Sequence, residues 1–154
     1  MIAALGVGPD HRVLEIGTGS GYATAILAEL AAQVMSLERF QTLALAARLR
    51  LERLGKQNAE IVFTDGLALP ASAGPFDRIL IHARLESLPP SLAALLSVEG
   101  RIVMARPHAR LPHRQMLVEL RTARVAKCKR QNSACAACRP CCRAWPRFFE
   151  GGAR

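Results

Sequence analysis

Glu15-Ile16-Gly17-Thr18-Gly19-Ser20-Gly21 places a carboxylate ahead of three glycines at alternate positions. Glycines let a backbone turn tightly and approach a ligand without Cβ clashes. The apolar run Arg12-Val13-Leu14-Glu15-Ile16 precedes them and an amphipathic stretch follows. The turn therefore joins a strand to a helix whose first N–H groups face it. Two further carboxylates follow. Glu38 ends the run Val34-Met35-Ser36-Leu37, where an acid accepts two hydrogen bonds from ribose hydroxyls. Asp65, after Glu60-Ile61-Val62-Phe63 and before Gly66, suits an adenine amino group. The set points to a nucleoside-containing cofactor. Bland readings stay open beside it. Glu38 is otherwise a solvated strand-end carboxylate, and Asp65 a turn former. Glu15 lies inside an apolar strand, where an unpaired charge is costly. It either holds the cofactor's amino end or the glycine loop indirectly, or is purely structural. A dinucleotide fingerprint, G-x-G-x-x-G, fails in both registers, because its third glycine falls on Tyr22 or Thr24.

The elements around these residues alternate. Apolar residues at Ala23, Ile26, Leu27, Leu30 and Ala31 predict a helix over 22–32 with one buried face. A second helix is expected over 40–54, with Phe40, Leu43, Ala44, Ala47, Leu51 and Leu54 on one face and Gly55 at its stop. Strands are expected at 12–17, 34–37, 60–63, 76–81 and 100–104, with a sixth candidate at 115–120. A short helix opens on Pro89 and Pro90 and runs through Leu96. Such alternation means βαβ units: an α/β, doubly wound, mostly parallel open sheet. Ligands bind there at the carboxyl ends of the strands, near the switch point.

The motifs carry a resemblance. Glu15-x-Gly17-x-Gly19-x-Gly21 resembles motif I of the Rossmann-like S-adenosylmethionine-dependent methyltransferases. Val13 through Tyr22 is similar to that motif in the protein-L-isoaspartate O-methyltransferases. Ser36-Leu37-Glu38-Arg39, Leu54-Gly55 with Asn58, Asp65-Gly66, Pro75-Phe76-Asp77-Arg78-Ile79 and Glu99-Gly100-Arg101-Ile102-Val103 resemble further segments of that family. Glu99 replaces a glycine of its Gly-Gly-Arg fifth strand. The match covers about residues 1–120. It implies S-adenosyl-L-methionine as cofactor, with Glu15, Gly17, Thr18, Gly19, Ser20, Gly21, Glu38, Asp65 and Gly66 binding it. It also implies methyl transfer to L-isoaspartyl carboxylates in damaged proteins, so isoaspartyl peptides or proteins are the expected partners. Such chemistry needs proximity and desolvation more than acid–base help.

Three departures qualify what carries over. Met1 falls just before motif I, where the family has a further segment with a substrate-binding Ser/Thr motif. The expectation is an incomplete core to which no catalytic residue carries over. His82-Ala83-Arg84 replaces small residues after the fourth strand, and Ala105-Arg106-Pro107 replaces the turn after the fifth. These positions should face substrate, so His82 and Arg84 are candidate contacts to an acidic group, against a plain loop histidine and a solvated arginine.

The charge is uneven. The net charge of +9 over 154 residues invites a nucleic-acid reading. Yet residues 1–120 hold 12 Lys+Arg against 11 Asp+Glu, while residues 121–154 hold 9 against one. The expected organisation is a cofactor-binding core over 1–120 and a basic, Cys-rich, disordered tail over 121–154. Nucleic acid enters only through that tail. Its cysteines, Cys128, Cys135, Cys138, Cys141 and Cys142, overlap rather than form two separated pairs, so no metal is assigned. A shifted reading frame also explains the abrupt change in composition. No apolar run reaches about 18 residues, so no membrane span is expected. No signal peptide is recognised either, and the default location is the cytoplasm. Competing functions are a catalytically silent cofactor-binding domain, a methyltransferase for another acceptor such as RNA, and a basic interaction protein.

Overall fold

The structure, a computed structural model, describes residues 1–107, 115–121 and 149–150. Its elements in chain order are α1 (Ile2–Leu5), β1 (Arg12–Ile16), α2 (Tyr22–Leu30), β2 (Gln33–Glu38), α3 (Gln41–Arg53) and β3 (Ala59–Phe63). Then come β4 (Phe76–Arg84), α4 (Pro90–Ala93), β5 (Leu96–Pro107), β6 (Gln115–Arg121) and β7 (Phe149–Glu150). The sheet order is β3-β2-β1-β4-β5-β6-β7. The first five strands run parallel, and β6 and β7 add antiparallel. This is the expected mostly parallel α/β sheet. The chain winds outward from β1 to β3, then returns to lay β4 on the other side of β1. The switch point therefore lies between β1 and β4, where the glycine turn leaves the sheet.

Parallel strands covered on both faces read as continuous apolar runs, and β1 and β4 do. Val13, Leu80 and Val103 pack on one face with Leu5 of α1 and Leu27 and Ala28 of α2. Leu14, Ile79, Ile81, Ile102 and Met104 fill the other, under Leu92 of α4. Each such fully buried side chain contributes about 1.5–3 kcal/mol. A third cluster joins Ala44, Ala47 and Leu51 of α3 to Ile61 of β3.

Several boundaries and faces differ from expectation. In α2 the buried residues are Thr24, Leu27 and Ala28, while Leu30 is exposed. The face is rotated because a polar residue, Thr24, has a hydrogen-bond partner inside. Of the face expected over 40–54, Leu43 in α3 and the flanking Phe40 and Leu54 are exposed, leaving a narrower buried stripe. The helix after Pro89 stops at Ala93, and Leu96 already belongs to β5. That strand passes through Glu99 in a left-handed conformation, φ 68°, beside a register shift against β4. His82-Ala83-Arg84 and Ala105-Arg106-Pro107, expected as loops, continue β4 and β5. A register shift between Ile81 and Arg84 lets the longer β4 stay in the sheet.

Of the residues after 120, Arg121 completes β6, and Phe149–Glu150 pair with its end. The expected disorder, the cysteine run and the remaining basic residues lie outside the described residues. Among the described residues, no helix is long and apolar enough to cross a membrane. No group of three or more His, Cys, Asp or Glu is placed to hold a metal there.

Candidate functional site

A cleft of about 540 Å³ opens at the carboxyl ends of β1, β2, β3 and β4. Gly17 and Gly19 line it from the turn after β1, Glu38 from the end of β2, Asp65 and Gly66 from the turn after β3, and His82 from β4. Three separate strand ends thus bring five of the predicted cofactor residues onto one concavity, and a fourth, that of β4, adds His82.

The turn is built by its glycines. Gly17, Gly19 and Gly21 have φ of 95°, 55° and 80°, conformations that L side chains rarely adopt. A Cβ on Gly21 would press on Ala47 of α3, whereas one on Gly19 would meet nothing within 4 Å. Space therefore remains open beside Gly19 for a ligand to approach. Gly66 is needed for a different reason. A Cβ there would come within 2.5 Å of Ile16 Cγ2, a buried β-branched atom that cannot swing away. Gly66→Ala is expected to cost about 1–2 kcal/mol of stability through this overpacking. Thermal unfolding checks it, and an unchanged Tm would show that Ile16 yields.

Glu38 is 5% exposed and both of its oxygens are engaged. Oε2 accepts the Gly19 N–H at 2.9 Å, and Oε1 accepts the Phe40 N–H at 3.0 Å. The carboxylate thereby ties the glycine loop to the start of α3. Each oxygen retains a second lone pair for a hydroxyl donor. Asp65 stays exposed, and its Oδ1 accepts the Leu67 N–H at 3.0 Å. The turn-forming role is real, and it coexists with a place on the cleft wall.

Glu15 does not line the cleft; it lies beneath it with no exposure. Its Oε2 accepts the Thr24 hydroxyl at 2.5 Å and the Ser36 hydroxyl at 2.6 Å. Since Ser36 spends its proton on Glu15, the 2.5 Å contact between Thr18 Oγ1 and Ser36 Oγ has Thr18 as donor. His82 Nε2 lies 3.0 Å from Glu15 Oε1. One buried carboxylate thus joins β1, α2, β2 and β4 directly, and the glycine loop through Thr18. No buried side-chain polar atom among the described residues is left without a partner.

Thr18 is 4% exposed and turned inward to Ser36, and Gly21 packs against α3, so neither forms the cleft wall. Ser20 is exposed at the loop, its carbonyl accepting from Arg50 at 3.1 Å. Arg84 is placed by its backbone, opposite Ala105 of β5. Sequence reasoning missed the apolar wall: Phe40, Leu43 and Leu67 are solvent-exposed residues that line the cleft. The signal was present, since Phe40 and Leu43 follow Glu38 closely, but the helical period absorbed them into a core stripe. A cleft with acidic groups at two strand ends and apolar side chains between them suits a nucleoside.

Comparison with known proteins gives the same direction. Residues 1–138 match the family model described as Protein-L-isoaspartate(D-aspartate) O-methyltransferase, past the boundary expected at residue 120. A protein-L-isoaspartate O-methyltransferase of Rhodopseudomonas palustris is 48% identical over 125 residues, covering 80% of this chain and 57% of its own length. One from Nitrobacter winogradskyi is 46% identical over 123 residues, with 80% and 56% covered. The chain therefore spans about half the length of the curated relatives it matches. Among solved structures, a protein-L-isoaspartate O-methyltransferase superposes with a TM-score of 0.70 at 26% identity, covering 78% of this chain and 38% of that one. A Plasmodium falciparum chain described as the same enzyme, in complex with S-adenosyl-L-homocysteine, gives 0.63 at 25%, with 77% and 60% covered.

Proposed function

The chain belongs to the protein-L-isoaspartate O-methyltransferase family, and from that premise we propose that its cleft binds S-adenosyl-L-methionine for methylation of L-isoaspartyl residues in damaged proteins. The observation that carries this reading is the convergence of Gly17, Gly19, Glu38, Asp65 and Gly66 on one cleft at the strand ends. Bound there, the cofactor supplies an electrophilic sulfonium methyl to the side-chain carboxylate of the substrate. Glu38 takes the ribose hydroxyls, Asp65 the adenine edge, and Phe40 and Leu43 exclude water from the base. Gly17 and Gly19 admit the methionine portion, while Glu15 holds the loop from below through Ser36 and Thr18. His82 and Ala83 form the wall nearest the end of β4, where an acidic acceptor would approach. The organisation of the reading is a core over 1–120 followed by a basic segment over 121–154. Its setting is the cytoplasm, its partners are isoaspartyl peptides and proteins, and nucleic acid enters only through the basic residues after 121.

The test is transfer of a radiolabelled methyl group to a peptide carrying one isoaspartyl residue, with the normal aspartyl peptide as control. Label on the first peptide alone is the expected result. Cofactor binding by calorimetry without transfer to either peptide would leave a binding domain in place of an enzyme. Transfer to RNA instead would give the site a different acceptor.

A further inference from the structure

His82 closes the floor of the cleft where β1 and β4 meet. Val13 and Leu80 share one face of the sheet, and two residues further along each strand Glu15 and His82 emerge on that same side. The side chain lines the cleft beside Gly17, and a Cβ on Gly17 would come within 3.2 Å of His82 Cβ. The glycine turn and the histidine therefore stand against each other. The ring is also fixed in place. Its Nε2 lies 3.0 Å from Glu15 Oε1, and Glu15 is itself fully buried and held by Thr24 and Ser36. Swinging the ring away would leave a buried carboxylate oxygen without its partner. Yet 32% of the side chain remains exposed, at the cleft that it lines. Its neighbours on that wall, Gly17 and Ala83, have little or no side chain, so the imidazole sets the clearance at this end.

We infer that His82 is a specificity-determining residue: its anchored ring limits the size of the alkyl group that the cofactor carries on its sulfonium, admitting methyl and rejecting longer chains. This rests on the cofactor reading above. The placement follows from the strand order. Glu38 and Asp65 stand at the ends of β2 and β3, so on that reading ribose and adenine lie over this side of the sheet. β1 and β4 lie on the other side, so the methionine portion and its sulfonium lie towards Gly17 and His82. The group on sulfur has to point at the acceptor, which approaches from the end of β4. A methyl group needs the least room there. One more carbon meets a ring that yields only by giving up its tie to Glu15. One methylene more or less in a shaped pocket is worth about 10- to 200-fold in discrimination. A loose ring would turn to another rotamer and make room, so the tie to a buried carboxylate is what gives His82 this role.

Calorimetric affinities for S-adenosylmethionine and its S-ethyl analogue test this. The two ligands carry the same charge, so their ratio reads size alone. The wild type is expected to bind the methyl form about tenfold or more tighter than the ethyl form. In His82→Ala the ratio should fall to within about threefold. His82→Asn, whose shorter side chain still carries an N–H donor, should relax it in the same way, and it carries the test where His82→Ala does not melt cooperatively. Leu43→Ala, on the wall contributed by α3, should weaken both ligands alike and keep the wild-type ratio. Equal affinities in the wild type, an unchanged ratio in the folded His82 variants, or an equal relaxation in Leu43→Ala overturns the inference and leaves the cofactor reading standing. Failure of the wild type to bind either ligand removes both. A second readout needs no variant: in the wild-type complex the S-methyl protons should show nuclear Overhauser contacts to the His82 ring. Contacts to other cleft residues without that one overturn the inference.

Discussion

Glu15→Ala is expected to lower the unfolding free energy by about 3–5 kcal/mol, a large fraction of a domain's usual total. The side chain has no exposure, and it is the common acceptor for Thr24, Ser36 and His82. Alanine leaves two hydroxyls and an imidazole facing a space that water enters poorly. Each orphaned buried group costs about 1–3 kcal/mol. Thr18 loses its hold too, because Ser36 would turn to seek another acceptor, and the glycine loop loosens with it. The loss belongs to an unmatched set rather than to the carboxylate alone. Removing the Thr24 and Ser36 hydroxyls with it, as Glu15→Leu with Thr24→Val and Ser36→Ala, should therefore recover part of the stability, Thr18 and His82 being left to find other partners. Urea unfolding of the single and triple variants checks both parts. A single variant within about 1 kcal/mol of the wild type would show that the network is not a structural keystone.

The same residues show what the amino-acid order discloses and what it hides. β1 and β4 are legible because parallel strands buried on both faces need unbroken apolar runs, and Val13-Leu14 and Ile79-Leu80-Ile81 supply them. The glycine turn and the two strand-end acids are legible because few other residue types do those tasks. The buried face of α2 is not, since hydropathy counts Thr24 as outward and knows nothing of Glu15 waiting opposite it. Phe40 and Leu43 mislead in the opposite sense, being apolar residues whose partner is a cleft rather than the core. His82 combines both difficulties. A polar residue after an apolar run reads as a strand end, yet β4 continues to Arg84 and the ring is satisfied by a carboxylate 67 positions away in the chain. Long-range polar pairs leave no periodic trace, and a network of them is where pattern reading stops.

Glu38→Ala is expected to weaken S-adenosylmethionine binding by about 1–3 kcal/mol, roughly 5- to 150-fold. Two causes contribute and they can be separated. One is direct: the carboxylate faces the cleft and has acceptor capacity left for ribose hydroxyls. The other is indirect: without it the Gly19 and Phe40 N–H groups lose their acceptor, and the loop and the start of α3 drift apart. A ligand lacking one ribose hydroxyl distinguishes them. If Glu38 accepts from that hydroxyl, deleting it weakens binding to the wild type but has little further effect on Glu38→Ala, so the two losses do not add. If Glu38 only ties the loop, the deleted hydroxyl costs the same in both proteins. Calorimetry on the four combinations gives the coupling directly, and strict additivity would remove Glu38 from the ribose site. The melting temperature of Glu38→Ala should fall less than that of Glu15→Ala. The two N–H groups that Glu38 serves lie at the cleft edge, where water can replace it, while Glu15 serves two hydroxyls, of Thr24 and Ser36, that water does not reach.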